Sequence, residues 1–422
     1  MKNKLIAYLS GRNYWAQAKR ILFWLDLYKR FQSRFKKPTY HIEKDYQGEP
    51  ILLIALFQKG KLRPDLVRLL EIAKAKGLYV LAINNLRVKT PTNMERFADF
   101  YIERFNYGRD FGAYQFGFQH IFKKKWHLKC PRLIMANDSL YYATKGLDEF
   151  LEDMINSDKE VLGATENFEI EYHLGSFWIS IGQAVLRKKR FIRYWNRYKQ
   201  TDIRPKVIHR GEMKLSKVLK RSISSPDMMS ALYSSSRFHR EIQISDELLD
   251  FSIRSVVTSE GTDWMKFTVK KVIDAGHQTF LGRKYDIQGA LAQIDASLDE
   301  INQSVFIGGF SQIKEILTMH LSNYGKLEEG MIRELVVALR AEIFMSGSQV
   351  HQNGPVLVRM GLPFVKMDGM YRGVYNLYDV GKITCQLLAE ERYELQELLI
   401  NRPWGEKTLT KWKLAAFRKG LL

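Results

Sequence analysis

Apolar residues recur along this chain in two rhythms that alternate through its first half. Ile51-Leu-Leu-Ile-Ala-Leu-Phe57 is a short, unbroken apolar run of the kind that forms a strand covered on both faces, as in a parallel sheet. Behind it, Leu66, Leu69, Leu70 and Ala73 fall at i, i+3, i+4 and i+7, with Pro64 near the first turn and Gly77 at the stop, and so predict a helix. Leu78–Ile83 predicts the next strand and closes a β-α-β unit. The alternation continues with strands over Asp99–Arg104, Arg132–Ala136 and Val161–Ala164 and an extended run over Gly175–Ile181. Helices are predicted over Asn106–Lys124 (with its leading loop), Gly146–Asn156 and up to about Tyr198. The expected fold is α/β: an open, mostly parallel sheet with helices on both faces, in which ligands sit beyond the carboxyl ends of the strands. Asn84–Asn85, Phe105–Asp110 and Asn137–Ser139 are therefore the loops in which to look for chemistry.

The two ends follow another pattern. Over Ser10–Lys37, helical spacing puts Ala18, Ile21, Trp24, Leu25, Tyr28, Phe31 and Phe35 on one side and Lys19, Arg30, Arg34 and Lys37 on the other. This basic amphipathic helix has two readings: an interfacial helix lying on anionic lipid, or a helix docked on the rest of the protein with a solvated basic face. Beyond about Pro205 strands thin out. From Asp286 to Met345 the pattern is mostly helical, with Leu291, Ile294, Leu298 and Ile301 in register, and Thr408–Leu422 again mixes aromatic with basic residues. The division read from this is a basic N-terminal segment over 1–48, a ligand-binding α/β domain over 49–250, and a helix-rich C-terminal region over 251–422.

Charge and cysteine narrow the classes. Lys and Arg number 66 against 46 Asp and Glu, a net charge of +20 over 422 residues, which calls for an acidic partner: nucleic acid, an anionic membrane surface or a phosphorylated small molecule. No recognition-helix, aromatic RNA-binding or zinc-finger signature accompanies the charge, so nucleic acid is not the expected partner. Cys130 and Cys385 lie far apart with no metal-ligand spacing, which fits a reducing compartment. The first ten residues offer an apolar run shorter than a signal-peptide core, and no run approaches the roughly 20 residues of a membrane span. The expected place is the cytoplasm, peripheral on the inner face of the plasma membrane.

Candidate chemistry gathers at four places. Asn106-Tyr-Gly-Arg-Asp-Phe-Gly-Ala-Tyr114 joins a strand to a helix, where backbone N–H groups favour an anion; Arg109 suits a diphosphate and Asp110 a ribose or base, with Asn106 and Gly108 beside them. The competing reading is a tight turn whose Arg and Asp pair with each other. Asn137-Asp138-Ser139 follows an apolar strand, a position where a carboxylate must be hydrogen-bonded, paired or cation-bound. Mg²⁺ or Mn²⁺ bridging a diphosphate needs only one or two protein carboxylates, whereas the plain reading of this triplet is a turn cap. Glu166 and His173 form the third group, and Glu212 in Gly211-Glu-Met-Lys-Leu-Ser216 the fourth; each can supply a general base. His351, before Gly354-Pro355, either completes a metal or diphosphate site or caps a helix.

Taken together, Asn106–Tyr114, Leu133-Ile-Met-Ala-Asn-Asp-Ser-Leu140, His173-Leu-Gly-Ser-Phe177, His351 and Gly361-Leu-Pro-Phe-Val-Lys366 resemble the rhamnan synthesis protein F family from about Ile51 to Val380. The resemblance implies a GT-A-like nucleotide-sugar fold. It also implies transfer of a deoxyhexose, typically rhamnose from its dTDP donor, to a cell-surface polysaccharide of the O-antigen type carried on a polyprenyl diphosphate. On the same ground Asp138 is the implied metal ligand and Glu212 the implied base, although Met213 stands where a Glu-Asp pair would have its Asp, and Asn137-Asp-Ser139 lacks the second carboxylate of an Asp-x-Asp. That departure leaves open a catalytically silent scaffold of an assembly complex.

Overall fold

The apolar runs become strands because they are covered on both sides: every residue of Ile51–Leu56 and of Tyr79–Asn84 is buried. The computed structural model describes residues 2–255, 267, 269–281, 309–321, 328–371, 374–375, 377–400, 409–418 and 420–421. Its strands are β1 (Thr39–Glu43), β2 (Ile51–Leu56), β3 (Tyr79–Asn84), β4 (Phe100–Glu103), β5 (Arg132–Asn137), β6 (Leu140–Tyr142), β7 (Val161–Gly163), β8 (Glu166–Asn167), β9 (His173–Leu174), β10 (Trp178–Gly182), β11 (Met229–Ala231) and β12 (Phe364–Lys366).

Eight of them form one sheet in the order β1-β4-β3-β2-β5-β10-β7-β11. The inner strands β4, β3, β2 and β5 run parallel. Strands β1 and β10 run against their neighbours, so the sheet is mixed at its flanks. The stretch ahead of Gly48, for which the sequence pattern predicts no strand, supplies the edge strand β1 against β4. Such a strand is nearly all exposed and therefore carries no apolar signature.

Alternation of side chains splits the core by face. Leu52, Ile54 and Leu56 share one apolar cluster with Leu66, Leu69 and Leu70 of helix α2 (Pro64–Ala75) and Leu147 and Leu151 of helix α4 (Leu147–Asn156). Ile51, Leu53 and Ala55 share another with Phe111, Tyr114 and Phe118 of helix α3 (Arg109–Lys123) and Trp195 of the helix Lys189–Arg197. Helices on both faces are thus as the alternation predicts. The first cluster also takes in Ile313, Val336 and Val356, so one apolar core spans the boundary drawn near 250. The positions Leu291, Ile294, Leu298 and Ile301 lie outside the described residues.

Strand β12 returns from late in the chain to pair antiparallel with β6, with Lys366 opposite Leu140. At the other end, helix α1 runs over Lys2–Phe35, with Ala18 fully buried. Asp26 and Lys29 bond to the Thr201–Asp202 loop. Trp24, Tyr28, Phe31 and Phe35 point outward instead, at 67%, 59%, 58% and 68% exposure. Ala18 therefore packs inward apart from the aromatics expected on its side, and the docked face joins half-buried Trp15, Ile21 and Leu22 to Asp26 and Lys29, against the helix Lys411–Arg418 and the Thr201–Asp202 loop.

Helix α3 crosses β2 at Gly117, where a Cβ would stand 2.4 Å from Leu53 Cδ1. Gly117→Ala is therefore expected to overpack this contact and to lower unfolding free energy by about 1–3 kcal/mol despite alanine's better helix propensity. Urea denaturation followed by circular dichroism measures it, and a variant as stable as wild type would mean that α3 sits farther from the sheet.

Candidate functional site

The chain runs from β2 to β3 to β4 in one direction across the sheet and then returns to lay β5 on the other side of β2. The two connections leaving β2 and β5 part at their carboxyl ends, which is where open α/β sheets bind ligands. Three loops meet there. The loop after β2 holds Phe57 and Gln58, with Gln58 pinned by a two-way exchange in which its backbone N–H donates to Asn84 Oδ1 (3.0 Å) and its carbonyl accepts from Asn84 Nδ2 (2.9 Å). Asn85 Oδ1 accepts from Arg104 (2.7 Å). Asn84 and Asn85, predicted as chemistry-bearing, hold neighbouring loops in place.

The loop after β5 carries Asn137, Asp138 and Ser139. Asp138 is buried, and its Oδ2 accepts from the Phe57 N–H (2.6 Å) and from Gln58 Nε2. Burial pushes its carboxyl up, while Arg63 and these two donors pull it down, with the net direction upward. Arg63 is itself locked in a two-pronged pair with Asp65 (2.9 Å on each arm) and donates to the Asp138 and Leu140 carbonyls at 2.9 and 2.6 Å. The residue just ahead of helix α2 thus fastens the loop after β5, and a carboxylate in an apolar setting is compensated as it must be.

The loop after β4 carries Asn106, Gly108, Arg109 and Asp110. Gly108 turns at φ +87° and Arg109 follows at φ +51°, a left-handed pair that swings the chain into α3; the first of these is suited to glycine. Asp202 secures the turn, its Oδ1 accepting from the Gly108 N–H (2.7 Å) and its carbonyl from Arg109 Nε (2.9 Å). The two motifs meet where Asn137 Nδ2 donates to Asp110 Oδ2 at 3.1 Å. Asn137 Oδ1 accepts from the Ser139 N–H and hydroxyl (3.1 and 2.6 Å), and that hydroxyl accepts from Lys366 Nζ (2.6 Å). Burial, then the Asp138 charge, raises the Asp110 carboxyl to about 6, against Lys366 and Arg109.

Glu212, on the π-turn segment Ile208–Met213, adds to the rise at Asp110 and so faces the same cluster. Its carboxylate accepts from the Ser176 hydroxyl (3.2 Å) and lies 3.7 Å from His173 Nε2. On another side, His351 Nε2 bonds to Asp368 Oδ1 (2.8 Å) and Arg204 reaches Asp368 Oδ2 (3.2 Å). Burial alone would raise the Asp368 carboxyl, but His351, Lys366 and Arg204 hold it well below the ordinary carboxylate range. Arg109 is lowered by burial and interacts with Asp110, Asp202, Arg204 and Asp368.

Among the sequence-predicted residues, Arg109, Asp110, Asn137, Asp138, Ser139, Glu212, His173 and His351 thus gather around one place, with Gly108 and Asn106 in the adjoining turn. Glu166 is turned elsewhere: its Oε1 accepts from the Ser235 N–H (2.7 Å) and hydroxyl (2.8 Å) at the start of the helix Ser235–Ile244. Lys366, Asp368, Arg204, Arg63 and Gln58 join the cluster without having been assigned a role from the sequence. Lys366 ends a quoted motif; for the others no local pattern distinguishes them from surface residues. Among the described residues no group of three His, Cys, Asp or Glu could hold a metal. The Asp110–Asp138 pair still suits a hard cation whose remaining ligands are substrate phosphates and water.

Raising the Asp110 carboxyl above its unfolded value, near 3.9, means that the native state holds an extra proton between about 3.9 and about 6. Stability therefore falls as pH rises through that window. Asp110→Asn, which stays neutral and can still accept from Asn137, is expected to match wild-type stability near pH ~4. Its advantage should grow to about 1–3 kcal/mol above pH ~6. Denaturation midpoints across this range test it; a constant difference between the two proteins would refute the assignment.

The family model described as rhamnan synthesis protein F matches residues 78–223. That span holds Asn106–Tyr114, Leu133–Leu140, His173–Phe177 and Glu212, and it stops short of His351 and Gly361–Lys366. An uncharacterized protein of Sinorhizobium fredii, y4gN, is 28% identical over 171 residues, which cover 39% of this chain and 44% of that protein, so the match spans less than half of the relative's length. No solved structure matches. Over the residues that carry Asp110 and Asp138 the chain is similar to the rhamnan synthesis protein F family.

Proposed function

We propose that the protein is a GT-A-like glycosyltransferase of bacterial cell-surface polysaccharide assembly, moving rhamnose from a dTDP donor to a growing glycan on a polyprenyl diphosphate. The observation that carries this reading is the Asn137–Asp110 bond at the strand-order reversal. It gathers two carboxylates and the cations Arg109, Lys366 and Arg204 where an α/β sheet takes a nucleotide. The similarity over residues 78–223 supports the same assignment.

An activated sugar brings its own leaving group, so the protein has three tasks: to bind the donor, to stabilise charge on the departing diphosphate, and to take a proton from the acceptor hydroxyl. Arg109, Arg204 and Lys366 supply the positive charge. Asp138 with Asp110 would hold Mg²⁺ or Mn²⁺, which when bound neutralises diphosphate oxygens. Glu212 is the base, oriented by the Ser176 hydroxyl and by His173. Asn106, Gly108, Asn137, Ser139 and His351 line the donor side. Glu166 is assigned no part, because Ser235 occupies it.

Asp138→Asn sets an amide against the Phe57 and Gln58 donors and removes a charge; Lys366→Met removes a cation while keeping the stem. Each is expected to lower kcat/KM for dTDP-rhamnose about 10²–10³-fold with an unchanged circular dichroism spectrum. Wild-type turnover in both would end this reading of the cluster. A thermal-shift screen of dTDP-, GDP- and UDP-sugars with and without Mn²⁺ is expected to single out the dTDP-sugar, and the absence of any shift would leave the scaffold as the function.

A further inference from the structure

Helix α1 turns its aromatic stripe away from the protein. Trp24, Tyr28, Phe31 and Phe35 follow one another at i, i+4, i+7 and i+11, each more than half exposed, with Phe31 and Phe35 edge to face at 4.9 Å. Phe23 and Leu27 widen the stripe at 46% and 37% exposure. Four aromatic rings in a row, each more than half exposed, form a larger apolar surface than scattered exposed residues do.

Charge names the occupant. Arg20, Arg30 and Arg34 are exposed beside the stripe, and Lys19, Lys36 and Lys37 are exposed near it. Asp26 is the helix's one acidic residue, and it faces inward, accepting from Thr201 Oγ1 (3.0 Å) and the Asp202 N–H (2.7 Å). The outward face thus combines aromatic rings with uncompensated cations. A second copy seated there would bring these cations together, on a chain already at +20. An anionic bilayer instead accepts rings at the headgroup level and cations at the phosphates.

We infer that α1 seats the protein on an anionic bilayer through Trp24, Tyr28, Phe31 and Phe35, with the site turn held against its opposite face. Lys29 Nζ and Asp26 grip Asp202 (2.7 Å each), and Asp202 in turn holds the Gly108 N–H and Arg109 Nε. Only one helix, about 10–12 Å across, separates the lipid surface from that clamp. This arrangement suits an acceptor that stays in the membrane.

Flotation of the full chain with vesicles of phosphatidylcholine, with and without phosphatidylglycerol, tests it, and the readout requires no turnover. Wild type is expected to float with anionic vesicles, weakly with neutral ones, and less as NaCl is raised. Trp24→Ser/Phe31→Ser is expected to bind at least about tenfold more weakly, whereas Ile244→Ser, at another exposed apolar residue, binds as wild type does. Equal flotation of the double variant, or no flotation of wild type, overturns the inference. So does a wild-type dimer, by light scattering, that the double variant splits while vesicles capture neither.

Discussion

A carboxylate at the end of a fully buried strand has to be compensated, and much of the surrounding structure follows from compensating Asp138. Its Oδ2 takes two donors from the loop after β2, that loop is pinned by Asn84 from β3, and Arg63 holds the Asp138 carbonyl while satisfied by Asp65. Three parallel strands are thereby tied at one end by polar side-chain contacts, in addition to the backbone ladders between them. A buried polar network whose members are satisfied is rigid, and these contacts hold the three loops to one geometry.

What could be read from the chain, and what could not, divides along sequence distance. The loops around Gly108 and Asp138 were legible because each follows an apolar run that can only be a buried strand, so polar residues just beyond it must lie at the sheet's carboxyl edge. Lys366 and Asp368 were not, since they reach the cluster through a three-residue strand whose partner lies more than two hundred residues earlier. Asp202, in a connecting loop, and Arg204, at the start of the short helix Arg204–Val207, likewise act from segments without periodicity. The direction of β10 was illegible for a related reason: a buried strand has the same composition whichever way it runs.

Helix α1 shows the limit of pattern reading in another way. Hydrophobic spacing groups Ala18 with Trp24, Tyr28, Phe31 and Phe35, and the ordinary inference is that such a face packs inward. The protein instead docks the helix through Trp15, Ala18, Ile21 and Leu22 against the helix Lys411–Arg418 and through Asp26 and Lys29, which find complementary groups on the Thr201–Asp202 loop. Packing on a second helix together with specific polar pairing sets the helix's rotation, and the large aromatic rings stay outward.

The β6–β12 pairing also has a bearing on biosynthesis. Ser139 meets Lys366 across 227 positions, an interval that a ribosome adding about 5–20 residues per second needs roughly 11–45 s to cover. The strands that lead to Asp110 and Asp138 are therefore made well before Lys366. A nascent chain halted ahead of residue 364 would hold every strand of the eight-stranded sheet but lack the Lys366 partner of Ser139, so this cluster is completed only after all eight strands have been synthesised.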